Sequence, residues 1–96
     1  MGERIYINQA LTLEATTNVD ITGATALSIE YIEPDGTTGS WTATSRDDTN
    51  GVIEVDLANN TLDAAGAWTI WAKVTFSGGE IIPGTPYRMI VHALGT

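Results

Sequence analysis

Residues 67–76, with the sequence AWTIWAKVTF, alternate between two kinds of position along their whole length. One set of alternate positions is apolar throughout and comprises Trp68, Ile70, Ala72, Val74 and Phe76. The other set is mixed and comprises Thr69, Trp71, Lys73 and Thr75. Because successive side chains of a β-strand point to opposite faces, this period of two predicts a strand with one face in the core.

Shorter segments of the same kind fill most of the remaining chain. They cover residues 4–8, 11–16, 26–33, 39–45, 52–57 and 87–94, with a further start at 81–82. Pro83 and Pro86 interrupt this last segment, which predicts an edge or kinked strand because proline cannot donate to a sheet. Residues 61–66 are compatible with a short helical turn or a corner. The pattern predicts an all-β chain of about seven strands and a single domain over residues 1–96.

The segments between the strands have the residues that tight turns need. Pro34-Asp35-Gly36 follows one strand, and Ser77-Gly78-Gly79-Glu80 follows another. Proline fixes φ at the first turn position, and glycine accepts a positive φ. These two segments are therefore predicted to be hairpin turns, and residues 46–51 a polar turn.

Strands of this number and spacing predict an immunoglobulin-like antiparallel sandwich of two sheets. Gly66-x-Trp68-x-Ile70 has the spacing of the corner glycine, tyrosine and core cysteine of such domains, with Trp in place of Tyr and Ile in place of Cys. Trp68 and Ile70 are predicted to be fully buried, with Leu27, Ile29, Val55 and Val74 around them. Tryptophan donates only through its indole N–H, so the usual hydroxyl-to-backbone bond is not expected in the same form. An oligonucleotide-binding type of barrel is the alternative.

The charge of the chain excludes one class of partner. Twelve acidic residues face four basic ones, giving a net charge of −8, and the basic residues Arg4, Arg46, Lys73 and Arg88 are scattered. Nucleic-acid binding requires clustered lysine and arginine. No stretch approaches the roughly 20 apolar residues of a membrane helix. We expect neither a nucleic acid nor a membrane as partner. The absence of cysteine and of a secretory signal favours synthesis in the cytoplasm.

Residues suited to catalysis or metal binding are few. His92 is the only histidine, and no nucleophile or carboxylate stands beside it in a recognisable triad pattern. Asp47-Asp48-x-Asn50-Gly51 is the only cluster of hard oxygen ligands, and it is shorter than a calcium loop. The chain is predicted to be no enzyme and to hold no metal or cofactor.

Three large apolar residues break the alternation in the same direction. Trp71, Ile32 and Ile90 all occupy positions that should face solvent. If their strands are neighbours, the three side chains form an exposed apolar strip of the kind that marks a contact site. If the alternation slips at a bulge, one or two of them are buried instead.

The segment DITGATALSIEYIEPDGTTGSWTAT, residues 20–44, resembles immunoglobulin-like domains of tailed-phage virion proteins, notably the N-terminal domain of upper baseplate proteins. The residues that carry the resemblance are Asp20, Thr22, Gly23, Ala24, Thr25, Pro34, Asp35, Gly36 and Thr37. Residues 62–91, where Ala-Gly-x-Trp opens a strand and a glycine-bearing hairpin follows, resemble the end of the same domain. The resemblance covers roughly residues 5–94 and lies in turn chemistry and strand pattern.

This resemblance implies a non-enzymatic structural protein of a phage virion, a small docking module on a tail, baseplate or capsid surface. Its partners would be other virion proteins and copies of itself. It would be made in the cytoplasm of a bacterial host. A carbohydrate-binding module for host adhesion is the alternative, since exposed aromatic residues of a sandwich bind sugars and Trp41, Trp71 and Tyr87 are candidates for that role.

Overall fold

The computed structural model describes residues 5–94, which form nine β-strands and no helix. The strands are β1 (Ile5–Tyr6), β2 (Leu11–Thr16), β3 (Ala24–Ile32), β4 (Thr38–Thr42), β5 (Thr44–Asp47), β6 (Val52–Leu57), β7 (Gly66–Phe76), β8 (Ile81–Pro83) and β9 (Tyr87–His92). The predicted immunoglobulin-like sandwich is therefore confirmed, and the barrel alternative is wrong. Arg4, at the start of the first predicted strand, lies outside the described residues.

Two sheets pack face to face. The larger one has the strand order β1-β9-β7-β3-β4, with β8 as an additional partner of β7, and the smaller one has the order β2-β6-β5. Neighbouring strands are antiparallel except β1 and β9, which run parallel. Both N-terminal strands, β1 and β2, lie at sheet edges.

The strand predicted over residues 39–45 is in fact shared between the sheets. Its first part, β4, pairs with β3 in the larger sheet, and its second part, β5, pairs with β6 in the smaller sheet. Ala43 lies at the crossing, is buried, and donates its backbone N–H to the carbonyl oxygen of Leu27 at 2.9 Å. A small side chain suits this position because the chain passes between the two sheets there.

The core lies between the sheets and is built on β7. Trp68 and Ile70 are 1% and 2% exposed, as predicted, and Ile29 and Val74 are completely buried. Two residues predicted to complete this core, Leu27 and Val55, are only partly buried. The remaining buried apolar side chains are Leu13, Ile21, Ala43, Ile53, Leu57, Leu62, Ala72, Met89 and Val91.

Residues 61–66 form a corner with no helical turn. The indole Nε1–H of Trp68 donates to the carbonyl oxygen of Ala64 at 2.9 Å. A side-chain-to-backbone bond of this corner therefore forms after all, through the indole instead of a hydroxyl. Gly66 has φ +129°, a conformation that a residue with a Cβ rarely adopts.

The edge of β7 is shared by two short strands. Its first half pairs with β9 and its second half with β8, so residues 84–86 loop out between them. Gly84 keeps one contact with the sheet, because its N–H donates to the carbonyl oxygen of Ala72 at 2.7 Å. The predicted interruption by Pro83 and Pro86 is thus present, and it leaves an opening at the side of the sandwich.

Candidate functional site

The three residues of the predicted contact strip lie on one face of the larger sheet. In the register, Trp71 on β7 is opposite Glu30 on β3, and Ile32 is opposite Thr69. Ile90 on β9 is opposite Ala67 on β7. Directly opposite residues of antiparallel strands share a face, so Ile32, Trp71 and Ile90 all lie on the side away from the core. We call these three residues the outer strip.

The alternation of β7 continues unbroken through the outer strip. The one irregularity between β3 and β7 lies at Ala24–Ala26, well before Ile32. Exposure is uneven, since Ile90 is 46% exposed, whereas Trp71 and Ile32 are half-buried. Of the three side chains expected to be exposed, only that of Ile90 is. Glu30, Thr38, Ser40 and Trp71 help to line a shallow cavity of about 280 Å³ on this face.

A larger cleft opens at the side of the sandwich, where residues 84–86 leave the sheet. Its volume is about 460 Å³, and its lining comes from both sheets and the 84–86 loop. The lining residues are Glu14, Ala15, Thr16, Val52, Ile70, Trp71, Thr85, Pro86 and Tyr87. We call this space the side cleft. Trp71 lines both cavities and therefore joins the outer face to the side cleft.

The structure divides the three aromatic residues considered for sugar binding. Trp41 lies on the inner side of β4, where its ring stacks on that of Tyr31 at 4.3 Å between centroids and lies 6.2 Å from that of Trp68. Trp41 is therefore only partly exposed and packs against the core. Trp71 and Tyr87 both line the side cleft.

The residues considered for catalysis and metal binding make contacts and hydrogen bonds with nearby residues. The ring of His92 lies 6.0 Å from that of Tyr6. The carboxylate of Asp47 accepts bonds from the backbone N–H of Asn50 at 3.2 Å and from its side-chain amide at 2.8 Å. Asp48 accepts a bond from the hydroxyl of Ser45. Over residues 5–94 no group of three or more metal-binding side chains is assembled.

The turn residues that carry the phage resemblance form local hydrogen bonds. Asp20 accepts bonds from the backbone N–H of Thr22 at 2.9 Å and from its hydroxyl at 2.6 Å. Asp35 accepts a bond from the backbone N–H of Thr37 at 2.9 Å. The motif thus serves to shape two turns, which is the usual role of Asp and Thr at such positions.

These local bonds change the acidity of three aspartates. The pKa of each is lowered, because hydrogen bonds donated to the carboxylate favour its ionised form. The donors are Thr22 for Asp20, Thr37 for Asp35 and Asn50 for Asp47. Glu33 behaves in the opposite way, because desolvation, with Asp63 and Asp35 nearby, raises its pKa.

We expect acid to destabilise the fold through these three turns. A carboxylate with a lowered folded-state pKa stabilises the protein above its ordinary pKa, and this contribution is lost as pH falls below about 4. The thermal midpoint of the wild type should therefore fall more steeply in acid than that of a variant with D20N, D35N and D47N. Calorimetry of both proteins across the acid range measures the difference. Parallel curves would contradict the assignment.

The side cleft was not predicted from the sequence. It brings together residues about 70 positions apart, from β2 to the start of β9. The hydrophobic periodicity of a single strand does not indicate which distant residues lie close together. One signal was present in the sequence, since two prolines three residues apart within a sheet segment predict a loop at an edge.

Comparison with known proteins gives a likeness of fold. No family model matches the chain, and no curated protein matches it. The crystal structure of CopC from Methylosinus trichosporium OB3b is similar, with a TM-score of 0.60 over 99% of this chain and 89% of that one. The two sequences are 15% identical, so the likeness concerns the β-sandwich alone. Within residues 5–94 no helix is long and apolar enough to span a membrane.

Proposed function

We propose that this domain is a non-enzymatic docking module that binds other proteins through the outer face of its larger sheet. The observation that carries the proposal is the outer strip, in which Ile32, Trp71 and Ile90 share one face across three adjacent strands. Most neighbouring positions of this face on β3 and β7 are polar, and Ile81 on β8 is a further exposed apolar residue of the same face.

The surroundings of the strip support a contact role. Thr69, Lys73 and Arg88 lie on the same face of β7 and β9, with Glu30 opposite Trp71. A protein contact site commonly has an apolar centre, often with tryptophan, and a polar rim that excludes water. The outer face has both parts, and Trp71 is the residue best placed to act as anchor.

The setting that we propose is a phage virion, with other virion proteins and copies of this chain as partners. This part of the proposal is supported by the sequence resemblance of residues 20–44 and 62–91 to immunoglobulin-like domains of tailed-phage virion proteins. The resemblance lies in turns and strands, which is compatible with a domain whose purpose is to present a sheet face. We propose no catalytic step for it.

Replacing Trp71 by serine tests the outer strip. If Trp71 is a central anchor, W71S should leave the monomer folded and weaken assembly by about 2 kcal/mol or more. Sedimentation of the isolated protein and incorporation into virions in a complementation assay measure the loss. The control is V19S, since Val19 is a 39% exposed apolar residue in the loop between β2 and β3, outside the larger sheet.

Two results would contradict the proposal. If W71S unfolds the monomer, Trp71 is a core residue. If W71S assembles as well as V19S and the wild type, the contact lies elsewhere, for instance on the smaller sheet or at the turn after Ile32.

Carbohydrate binding is the second candidate function, and one observation favours it. Trp71 and Tyr87 line the side cleft together with the polar residues Glu14, Thr16 and Thr85, and aromatic rings with polar neighbours suit a sugar ring. A glycan array, followed by titration of tryptophan fluorescence with each sugar that binds, tests it. Loss of the signal in Y87S would locate the sugar in the side cleft.

A further inference from the structure

One edge of the smaller sheet has backbone groups without a strand partner. β2 pairs with β6 on one side, and no strand of the described chain lies on its other side. The N–H of Thr17 donates to the carbonyl oxygen of Gly51 on the β6 side at 2.9 Å, so odd-numbered residues of β2 bond towards β6. Because bonding alternates along an antiparallel strand, the backbone groups of Thr12, Glu14 and Thr16 point to the free edge.

The side cleft lies directly beside this free edge. Glu14, Ala15 and Thr16 form one wall, while Pro86 and Tyr87 belong to the opposite wall. Tyr87 is opposite Ile70 in the register and thus belongs to the inner face, yet it is 52% exposed. The smaller sheet has only three strands and leaves this part of the larger sheet uncovered. The position that a fourth strand would occupy is therefore open.

The open position has a defined length. At one end, Gly84 approaches the carbonyl oxygen of Thr16, and a Cβ added to Gly84 would lie 2.6 Å from that oxygen. The 84–86 loop thus closes the edge at Thr16. The accessible backbone groups are those of Thr12 and Glu14, enough for a short added strand.

Charge decides which strand can pair there. Glu14 faces outward directly opposite Glu54, and Arg46 lies 3.1 Å from the first carboxylate and 4.0 Å from the second. Two copies of β2 paired antiparallel around Glu14 would place two glutamates opposite each other, in chains that each carry a net charge of −8. Like charges directly opposite across strands are destabilising. A second copy is therefore disfavoured, and a strand with a lysine or arginine at this place is favoured.

We propose that the free edge of β2 and the side cleft bind an extended segment of a partner protein, which adds to the smaller sheet as a fourth strand. Its backbone bonds to Glu14 and Thr12. Its alternate apolar side chains enter the cleft beside Tyr87, and a lysine or arginine between them lies next to Glu14. Addition of a strand to a sheet edge is a general mode of peptide recognition, in which backbone bonds give affinity and side-chain pockets give selectivity.

This inference goes beyond the proposed docking through the outer strip and uses a separate surface. Trp71 is common to both surfaces, so it cannot distinguish them. Ile90 belongs only to the outer strip and Tyr87 only to the side cleft, so I90S and Y87S separate a failure of one proposal from a failure of the other.

The test uses synthetic peptides and amide spectra of the full-length protein. The probe is the peptide Thr-Val-Lys-Val-Thr-Val with blocked termini, at millimolar concentration and low salt. It should shift the amide resonances of Thr12 and Glu14 and slow hydrogen exchange at Glu14. Methylation of the backbone nitrogen of the peptide's lysine removes one hydrogen-bond donor and should weaken binding about threefold to tenfold. Glutamate in place of lysine should weaken it by a similar factor.

The protein variants complete the test. Y87S should weaken the peptide several-fold, whereas I90S should not change its affinity, and thermal midpoints near that of the wild type establish that both variants are folded. The inference is overturned if the lysine peptide shifts no edge amide, if the N-methylated peptide binds equally well, or if shifts occur only on the outer face. It is also overturned if glucose or N-acetylglucosamine, and not the peptide, shifts the cleft residues.

Discussion

Replacing Trp68 by alanine should lower the free energy of unfolding by about 3–5 kcal/mol, because the cavity left by a buried tryptophan cannot close around a methyl group. Trp68 is 1% exposed and contacts the rings of Tyr31 and Trp41 at the end of the core. The change also removes the donor to Ala64, which leaves a carbonyl at the corner without that bond. Urea denaturation of both proteins measures the loss.

The variant W68F separates the two contributions. Phenylalanine keeps an aromatic ring in the core and lacks the indole N–H, so its cost should be smaller than that of W68A and should include about 1 kcal/mol for the lost hydrogen bond. If W68A changed stability by less than about 1 kcal/mol, the assignment of the inner face of β7 would be wrong.

Gly51→Ala is expected to cost about 2–4 kcal/mol, from backbone strain and steric overlap together. Gly51 is buried and has φ +69°, in the left-handed region. A Cβ there would overlap the carbonyl oxygen of Val19 and the hydroxyl of Thr17. The backbone cannot easily retreat, since the N–H of Thr17 donates to the carbonyl oxygen of Gly51.

Gly36→Ala is the matched control, because Gly36 has φ +92° and a Cβ there would meet nothing within 4 Å. It should cost only the backbone strain, about 1–2 kcal/mol. Chemical denaturation of the two variants side by side gives the difference. Equal losses would show that overlap at Gly51 is relieved by a local shift, and a harmless Gly51→Ala would contradict the backbone conformation of this turn.

The parts of the fold that depend on local pattern could be predicted from the sequence. The alternation over 67–76 gives the strand, its inner face and the burial of Trp68 and Ile70. The transfer of one strand between the sheets at Ala43 could not be predicted, because the alternation of residues 39–45 runs on while the hydrogen-bond partner changes from β3 to β6. Partner choice depends on long-range packing, which a local period does not contain.

The candidate sites could likewise be predicted from the sequence only in part. The outer strip could be predicted because side-chain direction follows from position along a strand, and the register brings the three strands together. The burial of Trp71 and Ile32 depends on their neighbours across the sheet. Their half-buried state therefore could not be predicted from the sequence. The side cleft depends on a strand that the smaller sheet lacks, and no property of β2 alone reveals that its second edge has no partner.

The parallel pairing of β1 with β9 has a mechanical consequence. Ile5 and Tyr6 lie beside Val91 and His92, and the N–H of Ile7 donates to the carbonyl oxygen of His92 at 2.8 Å. When the two ends of the domain are pulled apart, parallel neighbouring strands are loaded in shear, so the bonds between them carry the force together instead of breaking one after another. The pairing of β1 with β9 thus resists unfolding of the domain when it is stretched along the chain.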